Sequence, residues 1–167
     1  MFARLEELTA VPWAGLSLLV ACACLLGAGA WLSVVDIRSH LLPNRIVYPS
    51  VLAAVILLGS SAVFLGDAGL LLRTLGGGIA LGASYLALRI IYPAGMGLGD
   101  VKFAVLLGCY LGYLSWWHLL YATVATFLLG GLVGMALILS RRGSASTVLP
   151  FGPFMMAGTM LALAIPA

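Results

Sequence analysis

The chain has 167 residues, 63% of them hydrophobic and 8% charged, with eight basic and five acidic side chains and a net charge of +3. An ordinary soluble domain carries about 25% charged residues, so so few charges cannot solvate a globule of this size, and a water-soluble monomer is excluded. The composition, with a mean hydropathy of +1.19, predicts an all-α integral membrane protein. It is expected to form a single polytopic domain over residues 1–167 with the lipid bilayer as its solvent, and its positive balance points to basic loops, with no nucleic-acid partner.

Arg4, Glu6 and Glu7 precede an apolar run that is too long for the core of a secretory signal, so this run is expected to be a retained span. Runs of about 17–25 apolar residues suffice to cross a bilayer. They predict about six helices, from Trp13 to Val35, Ile46 to Leu65, Leu70 to Ile91, Val101 to Leu114, Trp116 to Leu139 and Phe151 to Ile165. The fourth is short, about 20 Å at 1.5 Å per residue, and follows a glycine-rich segment. Irregular backbone at membrane depth is tolerated where it is buried in protein or lines a wet cavity. Cys22, Cys24 and Cys109 lie inside apolar runs without a C-x-x-C, so neither a disulfide framework nor a metal site is expected. Gly78 with Gly82 and Gly130 with Gly134 predict close helix approaches by the third and fifth helices.

Arg38, Arg45, Arg89, Lys102, Arg141 and Arg142 fall on one side of a six-helix bundle, whereas Arg4 and Arg73 lie towards the other with Glu6, Glu7 and Asp67. Basic residues near span ends accumulate on the cytoplasmic side. Both termini are therefore expected to be non-cytoplasmic, with Trp116 and Trp117 in the outer interfacial belt.

Two acids remain. Asp36 closes the first predicted helix in Val35-Asp36-Ile37-Arg38, and Asp100 opens the fourth in Gly97-Leu98-Gly99-Asp100-Val101-Lys102, on the same side. A structural reading makes Asp100 a helix cap and pairs Asp36 with Arg38; the cost of keeping an ionisable residue at membrane depth favours a functional one. Glycines with free φ would let the backbone approach an extended peptide and aim Asp100 into a cavity. Two adjacent carboxylates cannot both ionise easily, which leaves one base and one acid. The base can deprotonate a water while the acid polarises a carbonyl and later assists the departing amine, which is peptide hydrolysis without a cofactor. A serine triad is not supported, because no G-x-S-x-G occurs and His118 belongs to the opposite side. His40 reads as a solvated loop residue. Pro43 is expected to stop the first helix and Asn44 to N-cap the second. Lys102, two residues from Asp100, would not share its helix face and reads equally as an interfacial anchor or an electrostatic partner. Pro150-Phe151-Gly152-Pro153-Phe154 suits a stiff entry into the sixth helix.

In this order, Asp36-Ile37-Arg38 with Leu42-Pro43-Asn44, Gly97-Leu98-Gly99-Asp100-Val101-Lys102 and Pro150-Phe151-Gly152-Pro153-Phe154 resemble the catalytic membrane domain of type IV prepilin peptidases over nearly the whole chain. The resemblance implies that Asp36 and Asp100 are the catalytic pair, at the cytoplasmic face of a bacterial inner membrane, with no metal or other cofactor. It also implies that Pro43, Asn44, Gly97, Gly99, Lys102, Pro150, Phe151, Gly152 and Pro153 shape the site. The implied substrates are type IV prepilin-like or pseudopilin precursors, cut after a short basic leader. The paired C-x-x-C insertion and N-methylation activity of the long members have no counterpart in the sequence, so the short form without N-methyltransferase activity is expected. Two other readings suit the same residues: a non-catalytic carrier or scaffold whose Asp36 and Asp100 bind protons or cations, and an aspartic protease for another membrane-anchored precursor. Against the carrier stands the lack of an inverted repeat.

Overall fold

The computed structural model describes residues 11–93, 95–141 and 149–165, and all regular structure among them is helical. Six helices follow in chain order: α1 (Pro12–Ser39), α2 (Asn44–Phe64), α3 (Ala68–Ile91), α4 (Leu98–Leu114), α5 (Trp116–Leu139) and α6 (Gly152–Leu163). Arg4, Glu6, Glu7 and Arg142, which entered the expected orientation, lie outside the described residues. By length and composition α1, α2, α3 and α5 can each cross a membrane, whereas α4 and α6 are shorter. The protein is a multi-pass membrane protein.

The breaks between helices have local causes. Beyond Ser39, His40 takes a left-handed conformation (φ 51°), and its N–H donates to the Asp36 carbonyl. Pro43 is extended and caps α2. Asn44, expected as that cap, is instead the first helical residue, and Pro43, with φ −69° and ψ 125°, takes the cap position without a side-chain hydrogen bond. Gly66 makes a left-handed turn (φ 68°), a conformation that costs glycine little. Asp67 then caps α3 by accepting the Leu70 N–H at 2.8 Å. Ser115 is extended and separates α4 from α5.

The short helix α4 lies at the centre. From Phe103 to Tyr113 every residue except Val105 is buried, and α2, α3, α5 and α6 all pack on it. A helix sheathed by protein need not match the thickness of the lipid, which accounts for its 17 residues, about 26 Å at 1.5 Å per residue. The start of α4, expected at Val101, lies at Leu98. Asp100 turns its carboxylate back onto the Gly97 N–H and so satisfies a donor that the helix start leaves free.

Small residues permit the closest approaches. A Cβ on Gly108 would run into the Gly77 carbonyl, and one on Gly78 would stand 2.7 Å from Cys109 Sγ. The α3–α4 contact thus uses Gly78 and Gly82 as expected, and Gly77, Gly108 and Gly112 as well. Gly130 lies against Phe151 and Phe154 of the α6 entry, and Gly158 of α6 presses on the Ala122 carbonyl of α5. Hydrogen bonds tie the buried helices further, each contributing about 0.6 kcal/mol inside a membrane. Tyr110 donates to the Ala21 carbonyl of α1 at 2.8 Å, and Ser61 of α2 donates to the Ala14 carbonyl and lies 2.8 Å from Tyr113 OH. The outward faces carry Leu19, Leu72, Ile79 and Leu132, all exposed, as a lipid-facing surface requires.

Candidate active site

At one end of the bundle the last turn of α1, the first turns of α2 and α4, the end of α3 and the entry to α6 enclose a cavity of about 500 Å³. This lies within the range of ligand pockets. Asp36 and Asp100 both line it and are 4% and 8% exposed. Asp36 comes from α1 and Asp100 from α4. Between these helices stand α2 and α6, each of which packs on both.

Each carboxylate is held by a backbone N–H from the start of a helix. Asp36 Oδ2 accepts from Gly152, the first residue of α6, at 2.8 Å. Its own position at the C-terminal end of α1 is unfavourable for an anion, and the positive end of the α6 dipole offsets this. Asp100 Oδ2 accepts from Gly97, the cap residue of α4, at 2.9 Å. Asp36 and Arg89 are close enough for their charges to act on Asp100. Asp100 therefore both caps its helix and faces the cavity, so the structural and functional readings describe one geometry.

The glycines serve close approach more than conformational freedom. Gly97 has φ −76° and ψ 153°, and Gly99 lies within α4, so neither takes the free φ expected of this segment. The reason is steric: a Cβ on Gly99 would stand 2.7 Å from Leu42 Cβ. Gly152 is equally constrained, since its Cβ would meet Asp36 Oδ2 at 2.9 Å and Asp36 Cγ at 3.3 Å.

Lys102 and Asn44 also line the cavity and are joined directly, Nζ donating to Oδ1 at 2.8 Å. The same ammonium lies 5.0 Å from the ring centroid of Tyr48, a cation–π contact. Lys102 thus ties α4 to the first turn of α2, beside Asp100 but on another face. Pro150 and Phe151 line the cavity wall, and Pro153 is the second residue of α6. Pro43, the cap residue of α2, stands in sequence between two lining residues, Leu42 and Asn44, and is not itself part of the lining. His40 is exposed and also lines the cavity. Arg89, read from the sequence only as a marker of orientation, lines it too and donates to the Met96 carbonyl. A single cation at a helix end gives no sign of which side chains it will meet, so its place here was not legible. His118 lies at the far end, between Ser115 Oγ and the Ile165 carbonyl.

Comparison with known proteins gives a consistent result. The Type IV leader peptidase family matches residues 19–135. Proteins named prepilin leader peptidase/N-methyltransferase are 33% identical over 135 residues in Aeromonas hydrophila (79% of this chain, 44% of that protein) and 34% over 127 residues in Pseudomonas putida (74% and 42%). The one from Bacillus subtilis (strain 168) is 36% identical over 133 residues (78% and 49%). The chain spans less than half the length of these relatives. No solved structure matches it.

Proposed function

Because this chain belongs to the type IV leader peptidase family, we propose that it is an aspartic endopeptidase that removes the short basic leader from type IV prepilin-like or pseudopilin precursors. The observation that carries this reading is the pairing of two buried carboxylates, Asp36 and Asp100, in one cavity of about 500 Å³. The ionised carboxylate takes a proton from water, and the hydroxide oxygen bonds to the scissile carbonyl carbon. The protonated carboxyl donates to the carbonyl oxygen as that oxygen gains charge. Collapse of the tetrahedral intermediate re-forms the carbonyl and breaks the C–N bond, with a carboxyl proton passing to the leaving amine. The Gly97 and Gly152 N–H groups keep the two carboxylates in place through this cycle.

The same end of the bundle gathers Arg38, Arg45, Arg89, Lys102 and Arg141, five of the six described basic residues, leaving Arg73 at the other end. This asymmetry supports a site on the cytoplasmic face of the inner membrane. Pro43, Asn44, Gly99, Lys102, Pro150, Phe151 and Pro153 shape the groove in this reading.

The test is cleavage of a precursor with a Lys/Arg-rich leader ending in Gly before a hydrophobic helix. Wild type, Asp36→Asn and Asp100→Asn are compared in the same membrane preparation. Wild type is expected to cut, and each folded variant to lose about 10²–10⁴-fold in rate, the usual contribution of a general acid or base. Near-normal cleavage by either folded variant would refute the dyad. Failure of the wild type to cut would refute the substrate assignment.

A further inference from the structure

Arg89 is a charged cavity residue to which the reaction above gives no role. It sits in the last turn of α3, half-buried, and its Nη1 donates to the Met96 carbonyl across the α3–α4 connection. The Met96 carbonyl and the Gly97 N–H belong to one peptide unit, which is planar and trans, so the two groups point in opposite directions. The Gly97 N–H is the donor that holds Asp100 Oδ2 at 2.9 Å. One peptide plane is therefore clamped at both edges, by a guanidinium on its oxygen and a carboxylate on its hydrogen.

The clamp has a physical purpose. This peptide turns about ψ of Met96 and φ of Gly97, and Gly97 has no Cβ to resist the turn, so an unclamped Met96–Gly97 peptide could rotate with little steric resistance. Rotation would withdraw the N–H from Asp100 and free the carboxylate to change rotamer. A cation on the carbonyl opposes that rotation. It also polarises the amide, so that the N–H becomes a stronger donor to the carboxylate; chained hydrogen bonds reinforce one another in this way in a low-dielectric site. Asp36, His40 and Lys102 also line the cavity, but Lys102 is engaged by Asn44 and Asp36 by Gly152.

We propose that Arg89 is a positioning residue that acts on Asp100 through the Met96–Gly97 peptide, holding its carboxylate in the orientation required for hydrolysis without contacting the substrate. This rests on the aspartic reading above. The test compares wild type, Arg89→Lys, Arg89→Gln, Arg89→Met and Asp100→Asn in the precursor-cleavage assay, with folding checked by thermal unfolding in detergent. Arg89→Met is expected to lower kcat by up to about 10²-fold, the cost of a small misplacement of a catalytic group, with KM within about twofold of wild type. Arg89→Lys, which keeps a cationic donor, is expected to recover much of the loss, and Arg89→Gln less. Hydrogen exchange of the 92–100 segment should quicken in Arg89→Met and stay near wild type in Arg89→Lys. Should Arg89→Met fail to fold, the Lys and Gln variants carry the comparison.

An unchanged kcat in the Met and Gln variants would overturn the proposal. So would a raised KM with kcat preserved, which would make Arg89 a substrate-binding residue, or Lys and Gln variants of equal activity. If instead Asp100→Asn cleaves as well as wild type, the aspartic reading itself fails, whatever the Arg89 variants do.

Discussion

At the scale of single residues, the site depends on atoms that are missing as much as on those present. Gly152 has no Cβ, so its N–H comes within 2.8 Å of Asp36 Oδ2. Alanine there would place a methyl 2.9 Å from that oxygen and 3.3 Å from Asp36 Cβ and Cγ. One of the two groups must then shift. Gly152→Ala is therefore expected to lower kcat by about 10²-fold while leaving the helices intact, measured as cleavage rate beside the far-ultraviolet circular dichroism of the purified protein. Normal turnover in a folded Gly152→Ala protein would show that the Asp36 geometry is not needed. Lys102 acts differently, since its partners are Asn44 and the Tyr48 ring. Its removal should loosen the α2–α4 junction and leave each aspartate its own N–H.

At the scale of helices, the α3–α4 pair is the tightest joint, because backbone meets backbone where Gly77 of α3 faces Gly108 and Gly112 of α4. The Gly108→Ala change drives a methyl into the Gly77 carbonyl, and no side-chain rotation can relieve it. The expected cost is about 1–3 kcal/mol, as for other overpacked interiors, read as a lower unfolding midpoint in detergent. Gly131 on α5 offers the contrast, with nothing within 4 Å of its would-be Cβ. Gly131→Ala should be neutral or slightly stabilising, since alanine loses less backbone entropy than glycine in a helix. Equal midpoints for the two variants would contradict the packing. The joint also bears on the site: α3 carries Arg89 in its last turn and α4 begins beside Gly97, so their register sets whether the guanidinium reaches Met96.

At the scale of the whole molecule, alternating helices divide the chain into two ends. Asp36, Asn44, Gly97 and Phe151 meet at one. At the other, Gly76 of α3 lies against Trp116, and the α2–α3 turn carries Asp67. In a cysteine-free background, single cysteines at positions 38 and 92 are expected to react with an impermeant maleimide from the cytoplasmic face. Those at 68 and 117 should react only from the opposite face. Labelling of 38 and 92 from different faces would be incompatible with one shared cavity.

Membrane class, the six helical segments and the break at Pro43 were legible from the sequence, because apolar runs of spanning length and a proline each act locally. The left-handed turn at Gly66 and the extended Ser115 came to light only in the structure. The two aspartates stood out in the sequence, since a carboxylate in such a composition is costly wherever it lies. Less local matters were not legible. The close approach of Gly99 to Leu42 and the bond from Lys102 to Asn44 join residues distant in sequence, so neither could be read from the Gly97 segment or from Asn44 alone. The central place of α4 was hidden because lipid tails are as apolar as leucine. Hydrophobicity therefore cannot separate a face buried in protein from one bathed in lipid. Packing alone decided that Phe103–Tyr113 form the core, that Gly152 meets Asp36 across 116 residues of chain, and that Arg89 clamps the peptide beside Asp100.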